Sequence, residues 1–265
     1  MVEPGRGPAL PLFDAHVHLD DPDLVATGAL DAIWRDARGV GLIGAVTAGY
    51  GPERDADAIA TLQLGRPLWR AVGLHPWWLA SAADDDARDR GLQLLQAQLA
   101  GPGVVALGEI GLDETRKRQL DLDGQRRYFR AALRLARDAD LPVVLHVVRW
   151  HGHALEVLRE VPPPGGVVHR YGGPAELVAP LCALGLTISI CTDALRRPER
   201  FAAVARAVPA DRLVVETDWP LDDRPWSEAL AELAALVDAI ATWRGETPLA
   251  IAERAAANAR RLYRV

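Results

Sequence analysis

The chain has 265 residues, 49% apolar and 25% charged, the composition of an ordinary globular protein. A formal net charge of −6 excludes a protein that coats nucleic acid by bulk electrostatics, but not an enzyme that grips a few phosphates locally. Two cysteines, Cys182 and Cys191, in neither a C-x-x-C nor a zinc-finger spacing, point to a reducing, cytoplasmic setting. No apolar run approaches the ~18 residues of a membrane span and the first residues lack the apolar core of a signal peptide, so neither is expected.

Short apolar runs alternate with amphipathic segments along the whole chain. LFDAHV (12–17) precedes a helical pattern through ALDAIWRDARGVG, and LIGAVTAG (42–49) precedes PERDADAIATLQLG. LWRAVGLHP (68–76) leads to DDDARDRGLQLLQAQLA, whose aspartates suit a helix start. GVVALGEIGLD (103–113) leads through a charged loop to GQRRYFRAALRLARDAD, a clear 3.6-residue period. PVVLHVV (142–148) is followed by HALEVLRE, and GGVVHRYGG (165–173) by PAELVAPLCALG, with proline near the start and glycine past the end of one expected helix. LTISICTD (186–193) precedes PERFAAVARAV; DRLVVETDWP (211–220) precedes WSEALAELAALVDAIATW and a last helix through PLAIAERAAANARRLY. The runs are apolar throughout rather than alternating, as parallel strands covered on both faces are. Eight strand–helix units in a single domain without a linker match a (β/α)8 TIM barrel; a doubly wound open sheet is the rival.

Position gives the polar residues their meaning. His16 and His18 end the first run, His75 the third and Glu109 the fourth; His146 falls near the end of the fifth, His169 ends the sixth and Asp218 the eighth. In a barrel those ends converge on the rim that carries the chemistry. A single buried histidine is more often a satisfied core residue, but His16, His18, Glu109, His146, His169 and Asp218 all falling at strand ends favour a metal site. In HVH the strand period of two sends both imidazoles to one face, where they chelate one divalent ion. Glu109 has two oxygens and can bridge two ions about 3.5–4 Å apart, with His146 and His169 on the second ion and Asp218 on the first. Magnesium, manganese and zinc all suit this donor set. His151 and His153, spaced by two at a helix start, do not share a face and read as rim or surface residues. Trp77 and Trp78 read as half-buried packing, although an exposed indole can stack on a base.

FDAHVHLD, AVGLHPW, ALGEIGLDE, LPVVLHVVR, GVVHRYGG, VVETDWPL and AAANARRLY, in this order from residue 12 to about 263, resemble the successive motifs of the TatD family of metal-dependent hydrolases. The resemblance implies an amidohydrolase-like barrel, two metal ions and, as for many members, deoxyribonuclease activity, with single-stranded DNA as the expected substrate and no obligate protein partner. It places His16, His18, Glu109 and Asp218 on one ion and Glu109, His146 and His169 on the other. Asp218 then also activates the attacking water, and His75 lines the phosphate pocket. Asp14 and Asp113 are expected to orient the ligand histidines, and Arg149 and Arg170 to supply local positive charge. The sequence departs from the family pattern at Val147–Val148 before Arg149, at Arg170–Tyr171 after His169, and at ETRKRQLDL after GLD. The sole lysine, Lys117, lies in an arginine-rich loop beyond the fourth run and is badly placed to bridge metals as a carbamate. Because the substrate-facing residues are altered, amide or ester hydrolysis, including an aminoacyl ester on RNA, is the alternative. A barrel retaining metal for structure alone is a third reading, and the open ligand set argues against it.

Overall fold

A computed structural model describes residues 9–26, 28–61, 67–220 and 224–265. Eight strands follow the expected runs: β1 Leu12–Val17, β2 Leu42–Thr47, β3 Leu68–Val72, β4 Val104–Asp113, β5 Val143–Val148, β6 Gly166–Val168, β7 Leu186–Cys191 and β8 Leu213–Glu216. They pair in parallel in simple chain order, β1 to β8. The ring closes just beyond β8: Asp218 N–H donates to His16 O at 3.0 Å, and His18 N–H to Trp219 O at 2.7 Å. The open doubly wound sheet is thereby excluded.

The helices begin where the sequence supplies acceptors for their free N–H groups. Asp84 caps Asp85–Gln98 through Ala87 N–H, and Asp121 caps Leu122–Asp138 through Gly124 N–H, both at 2.8 Å. Helix Leu122–Asp138 buries Tyr128, Phe129, Ala132, Leu133 and Ala136. The helix expected over PAELVAPLCALG is instead a 3-10 turn, Ala175–Leu177, followed by Val178–Ala183. Pro180 supplies no N–H to a helix running through from Ala175, which accounts for the break. After β2 the helix is Pro52–Thr61; the end of the expected pattern lies outside the described residues, as do residues 1–8. No helix among the described residues is long and apolar enough to cross a membrane.

Two apolar clusters divide the strand side chains. Phe13, Ala15, Val46, Ala71, Ala106, Val144, Val167 and Val214 fill the barrel and meet Ala256, Ala259 and Tyr263 of helix Pro248–Tyr263. Tyr263 Oη donates to Ala15 O at 2.9 Å, closing that end. Leu107, Ile110, Leu112, Leu145 and their neighbours pack outward beneath the helices. Alternation would put Phe13, Ala15 and Val17 on one face and His16 on the other. The β1–β2 register slips between Asp14 and Val17, and the β4–β5 register slips between Gly108 and Ile110. Each irregularity re-phases its strand, as β-bulges do beside functional sites. His16 and Glu109 therefore point inward while Val17 and Ile110 join the outer core. Glycines permit the second slip: a Cβ on Gly73 would lie 2.4 Å from Gly108 C and 2.5 Å from Glu109 N.

Candidate metal centre

Glu109 is the hub of the C-terminal end of the barrel. Its carboxylate is buried, with Oε1 3.5 Å from His16 Nε2 and 3.6 Å from His18 Nε2. Oε2 faces the other way, 2.8 Å from His169 Nε2, 3.3 Å from His146 Nδ1 and 3.6 Å from His75 Nε2. Asp218 Oδ1 joins the first group, 3.5 Å from His16 Nε2 and 3.3 Å from His18 Nε2. All six expected ligands thus come together, with His16, His18 and Asp218 gathered on the Oε1 side of Glu109 and His146, His169 and also His75 near Oε2. Glu109 does not end its strand, however: β4 runs on for four residues, to Asp113.

Several ends of strands are shaped by unusual backbone. Arg149, Arg170 and Asp218, which follow β5, β6 and β8, have φ of 64°, 42° and 54°. A non-glycine residue pays roughly 1–2 kcal/mol for the left-handed region, and such residues gather at functional sites. Here the turn lifts Asp218 off the strand direction and aims it back over His16 and His18.

The electrostatics suit a cation. Burial alone would raise the Glu109 carboxyl, yet His169, His16 and His75 hold it well below the usual range. Burial opposes protonation of His18, but Asp218 and Glu109 bring it up to about 9. His169 is raised well above its ordinary value against burial, chiefly by Glu109. Asp218 stays below the ordinary carboxylate range despite burial, held by His18, His169 and His16. The same field that keeps protons on these imidazoles favours a divalent ion, which would displace them. His16 Nε2 is buried without a hydrogen-bond partner, the state of a donor atom reserved for something other than protein. Mixed imidazole and carboxylate donors fit magnesium, manganese or zinc.

The surrounding residues separate into those placed as expected and those not. Asp113 Oδ2 lies 3.1 Å from His146 Nε2 and accepts Trp77 Nε1–H at 2.7 Å, so it does orient a candidate ligand. Asp14 orients no imidazole ring. The slip in β1 puts it opposite His16, where Oδ1 accepts Thr217 N–H at 2.9 Å and Oδ2 accepts Trp226 Nε1–H at 3.0 Å and the Thr217 hydroxyl. It fixes the backbone leading into Asp218 instead. Arg170 reaches the centre, with Nη1 2.9 Å from Asp218 Oδ2 and its Nε and Nη2 both 3.2 Å from Asp193 Oδ2. Arg149 lines the same cavity, its Nη1 3.9 Å from Glu114 Oε2. His75 caps helix Pro76–Ser81, its Nδ1 accepting Trp77 N–H at 3.0 Å. Burial, with His146 alongside, pushes its pKa well down. A neutral His75 whose Nδ1 accepts carries its proton on Nε2, facing Glu109 and the cavity as a donor.

Sequence reading missed Glu216. Its buried Oε1 accepts Arg170 N–H and lies 3.4 Å from His169 Nδ1, so it backs a candidate ligand. The signal was present: an ionisable residue inside LVVE, two positions before Asp218. His151, against Tyr171, and His153, beside Glu156, are both half-buried, as expected of rim residues. Lys117 is exposed and bonded to Glu114, far from any bridging role.

Residues 13–264 match the family described as TatD related DNase. A 3'-5' ssDNA/RNA exonuclease TatD of Erwinia billingiae is 32% identical over 96% of this chain and 99% of its own length. Among solved structures, YJJV, a TatD homologue from Escherichia coli, superposes with a TM-score of 0.82 at 27% identity, covering 97% of this chain and 99% of its own. A TatD-family hydrolase from Entamoeba histolytica, 18% identical with a TM-score of 0.79 over 97% and 99% of the two chains, shares the fold.

Proposed function

This chain belongs to the TatD-related DNase family, a family of metal-dependent hydrolases, and from that premise we propose that it is a two-metal nuclease acting on single-stranded nucleic acid, DNA first. One observation carries the reading: the two oxygens of Glu109 face two separate groups of donors, His16, His18 and Asp218 on one side and His146 and His169 on the other. Two divalent ions held there would lower the pKa of a bound water and neutralise charge on the phosphoryl oxygens.

The protein's own groups supply the rest. Asp218 remains ionised at neutral pH and takes the proton of the attacking water through Oδ1, while Arg170, itself held by Asp193, fixes its other oxygen. His75 donates Nε2–H to a phosphoryl oxygen. Asp113 holds His146 and Trp77 together, so the base-binding wall and the metal floor share one support. The relatives' names, 3'-5' ssDNA/RNA exonuclease, support cleavage from a 3′ end. Both cysteines are unpaired, which fits the cytoplasmic placement in this reading.

The test uses single-stranded oligonucleotides labelled at either end, with magnesium or manganese, and the wild type beside Glu109→Ala. A product ladder from the wild type alone, shortening from the 3′ end, is the expected result. Turnover by Glu109→Ala would sink the hub assignment. An inert phosphodiester together with turnover of an aminoacyl ester would transfer the site to acyl hydrolysis.

A further inference from the structure

The cavity above the metal floor has a volume of about 1040 Å³, beyond the roughly 300–1,000 Å³ of a drug-sized ligand site. It has room for more than the nucleotide being cleaved, and its walls differ. The wall beyond β2 and β3 carries rings. Tyr50 stacks on His75 with centroids 5.3 Å apart, and Trp77, 42% exposed, is pinned at its indole nitrogen by Asp113. The wall beyond β7 carries Arg196, the last residue of the turn Thr192–Arg196, Arg197, which links that turn to helix Pro198–Ala207, and Arg200 of the helix. All three are exposed. Arg200 donates to Gly172 O, while Arg196 and Arg197 have neither an ion pair nor a side-chain hydrogen bond among the described residues. The nearest acid on that wall, Asp193, is already taken by Arg170, and Glu199 does not line the cavity. A chain of net charge −6 has thus gathered unneutralised cations along one side of its site.

Resting on the nuclease reading, we infer that the Arg196–Arg197–Arg200 wall is a phosphate track for the nucleotides on the uncleaved side of the scissile bond. Arg116 lies over the Trp77 ring, 4.1 Å from its centroid, and the terminal nucleotide lies against this wall of rings and guanidinium, a sequence-tolerant surface that suits any base. The following phosphates lie on the arginines, which offset the repulsion between an acidic protein and a polyanion. The track makes affinity depend on strand length and salt.

The experiment measures binding apart from cleavage. A phosphorothioate 12-mer of thymidylate, fluorescent at its 5′ end, is titrated by anisotropy against wild type and an Arg196→Ala/Arg197→Ala double variant from 50 to 300 mM salt. Each phosphate contact contributes a slope of about −0.7 in log K against log salt for single strands, so the double variant should be shallower by about 1.4. At 50 mM salt it should bind about tenfold more weakly. The corresponding double lysine variant should restore the slope, and Arg206→Ala, on the far part of the same helix, should leave it alone. For cleavage, the double alanine variant should lose at least fivefold more kcat/KM on a normal 12-mer than on a dinucleotide. An unchanged slope overturns the track, and so do equal losses on long and short substrates, which would mark a general structural effect. A wild type that binds with an arginine-dependent slope yet cuts no phosphodiester would overturn the nuclease reading and leave the track standing.

Discussion

The two ends of the barrel are built from the same eight strands and obey opposite rules. At one end Phe13, Val46, Ala71, Ala106, Val144, Val167 and Val214 fill the interior with apolar volume, sealed by Tyr263. At the other, His16, Glu109, His146 and His169 occupy the interior with groups that cannot satisfy one another completely. The first end is a packing problem solved by shape. The second is a cluster of imidazoles and carboxylates suited to holding a cation, and local breaks in the strand register aim its side chains. The closed end thus carries stability and the open end function, and substitutions should separate the two.

The sharpest separation comes from Glu109→Gln, which keeps the shape and removes the charge. It should lower kcat by at least about a thousandfold, or ~4 kcal/mol of barrel-bound transition-state stabilisation, and reduce bound manganese per chain. Melting temperature should stay near that of the wild type. A variant retaining both activity and metal would erase the distinction between the ends. Phe13→Ala is the converse experiment. Deleting a buried phenylalanine costs roughly 3–5 kcal/mol, read by urea unfolding, while kcat of the folded fraction at low temperature should remain close to wild type. Gly73→Ala probes the boundary between them. Its Cβ would collide with the backbone at Gly108 and Glu109, and a displacement of about 1 Å in a catalytic group can cost on the order of a hundredfold in rate. Activity should fall by about that much.

The smallest effect concerns pH. Asp55 accepts N–H groups from Tyr50 and Gly73 at 2.8 Å, and burial, reinforced by Asp20, pushes its carboxyl up to about 8. A carboxyl raised in the folded state binds a proton there that the unfolded chain has released. Its contribution is therefore whole below about pH 4 and declines as pH rises toward 8. Asp55→Asn should be less stable, having exchanged an acceptor for a donor, but its deficit in melting temperature should narrow between pH 5 and pH 8. A constant deficit would show that Asp55 is ionised throughout.

The order of strands and the convergence of His16, His18, His146, His169 and Asp218 were legible because both follow from periodicity: apolar runs mark strands, and strand ends mark the rim. What stayed hidden follows from departures from periodicity. Asp14 looks like a partner of the His16 ring when β1 alternates regularly, but one slipped residue sends it to Thr217 and Trp226. Glu216 was legible in type but not in role, since its partner His169 belongs to a different strand. Pro180 announces the broken helix after β6 once its missing N–H is considered. A pattern of residue types reports local geometry well and register poorly, because register is settled between strands.

The seam between β8 and β1 has a consequence for synthesis on the ribosome. The hydrogen bonds that close the ring involve His16, His18, Asp218 and Trp219, and Asp14 grips Thr217, 203 positions later. Long-range closure of this kind comes late, because the chain must give up much of its loop freedom before those contacts form. A nascent chain carrying five of the six candidate ligands still lacks the last carboxylate and the edge that holds β1 in place. The candidate site is therefore complete only once the chain beyond β8 has been made and its carboxylate brought against His16 and His18.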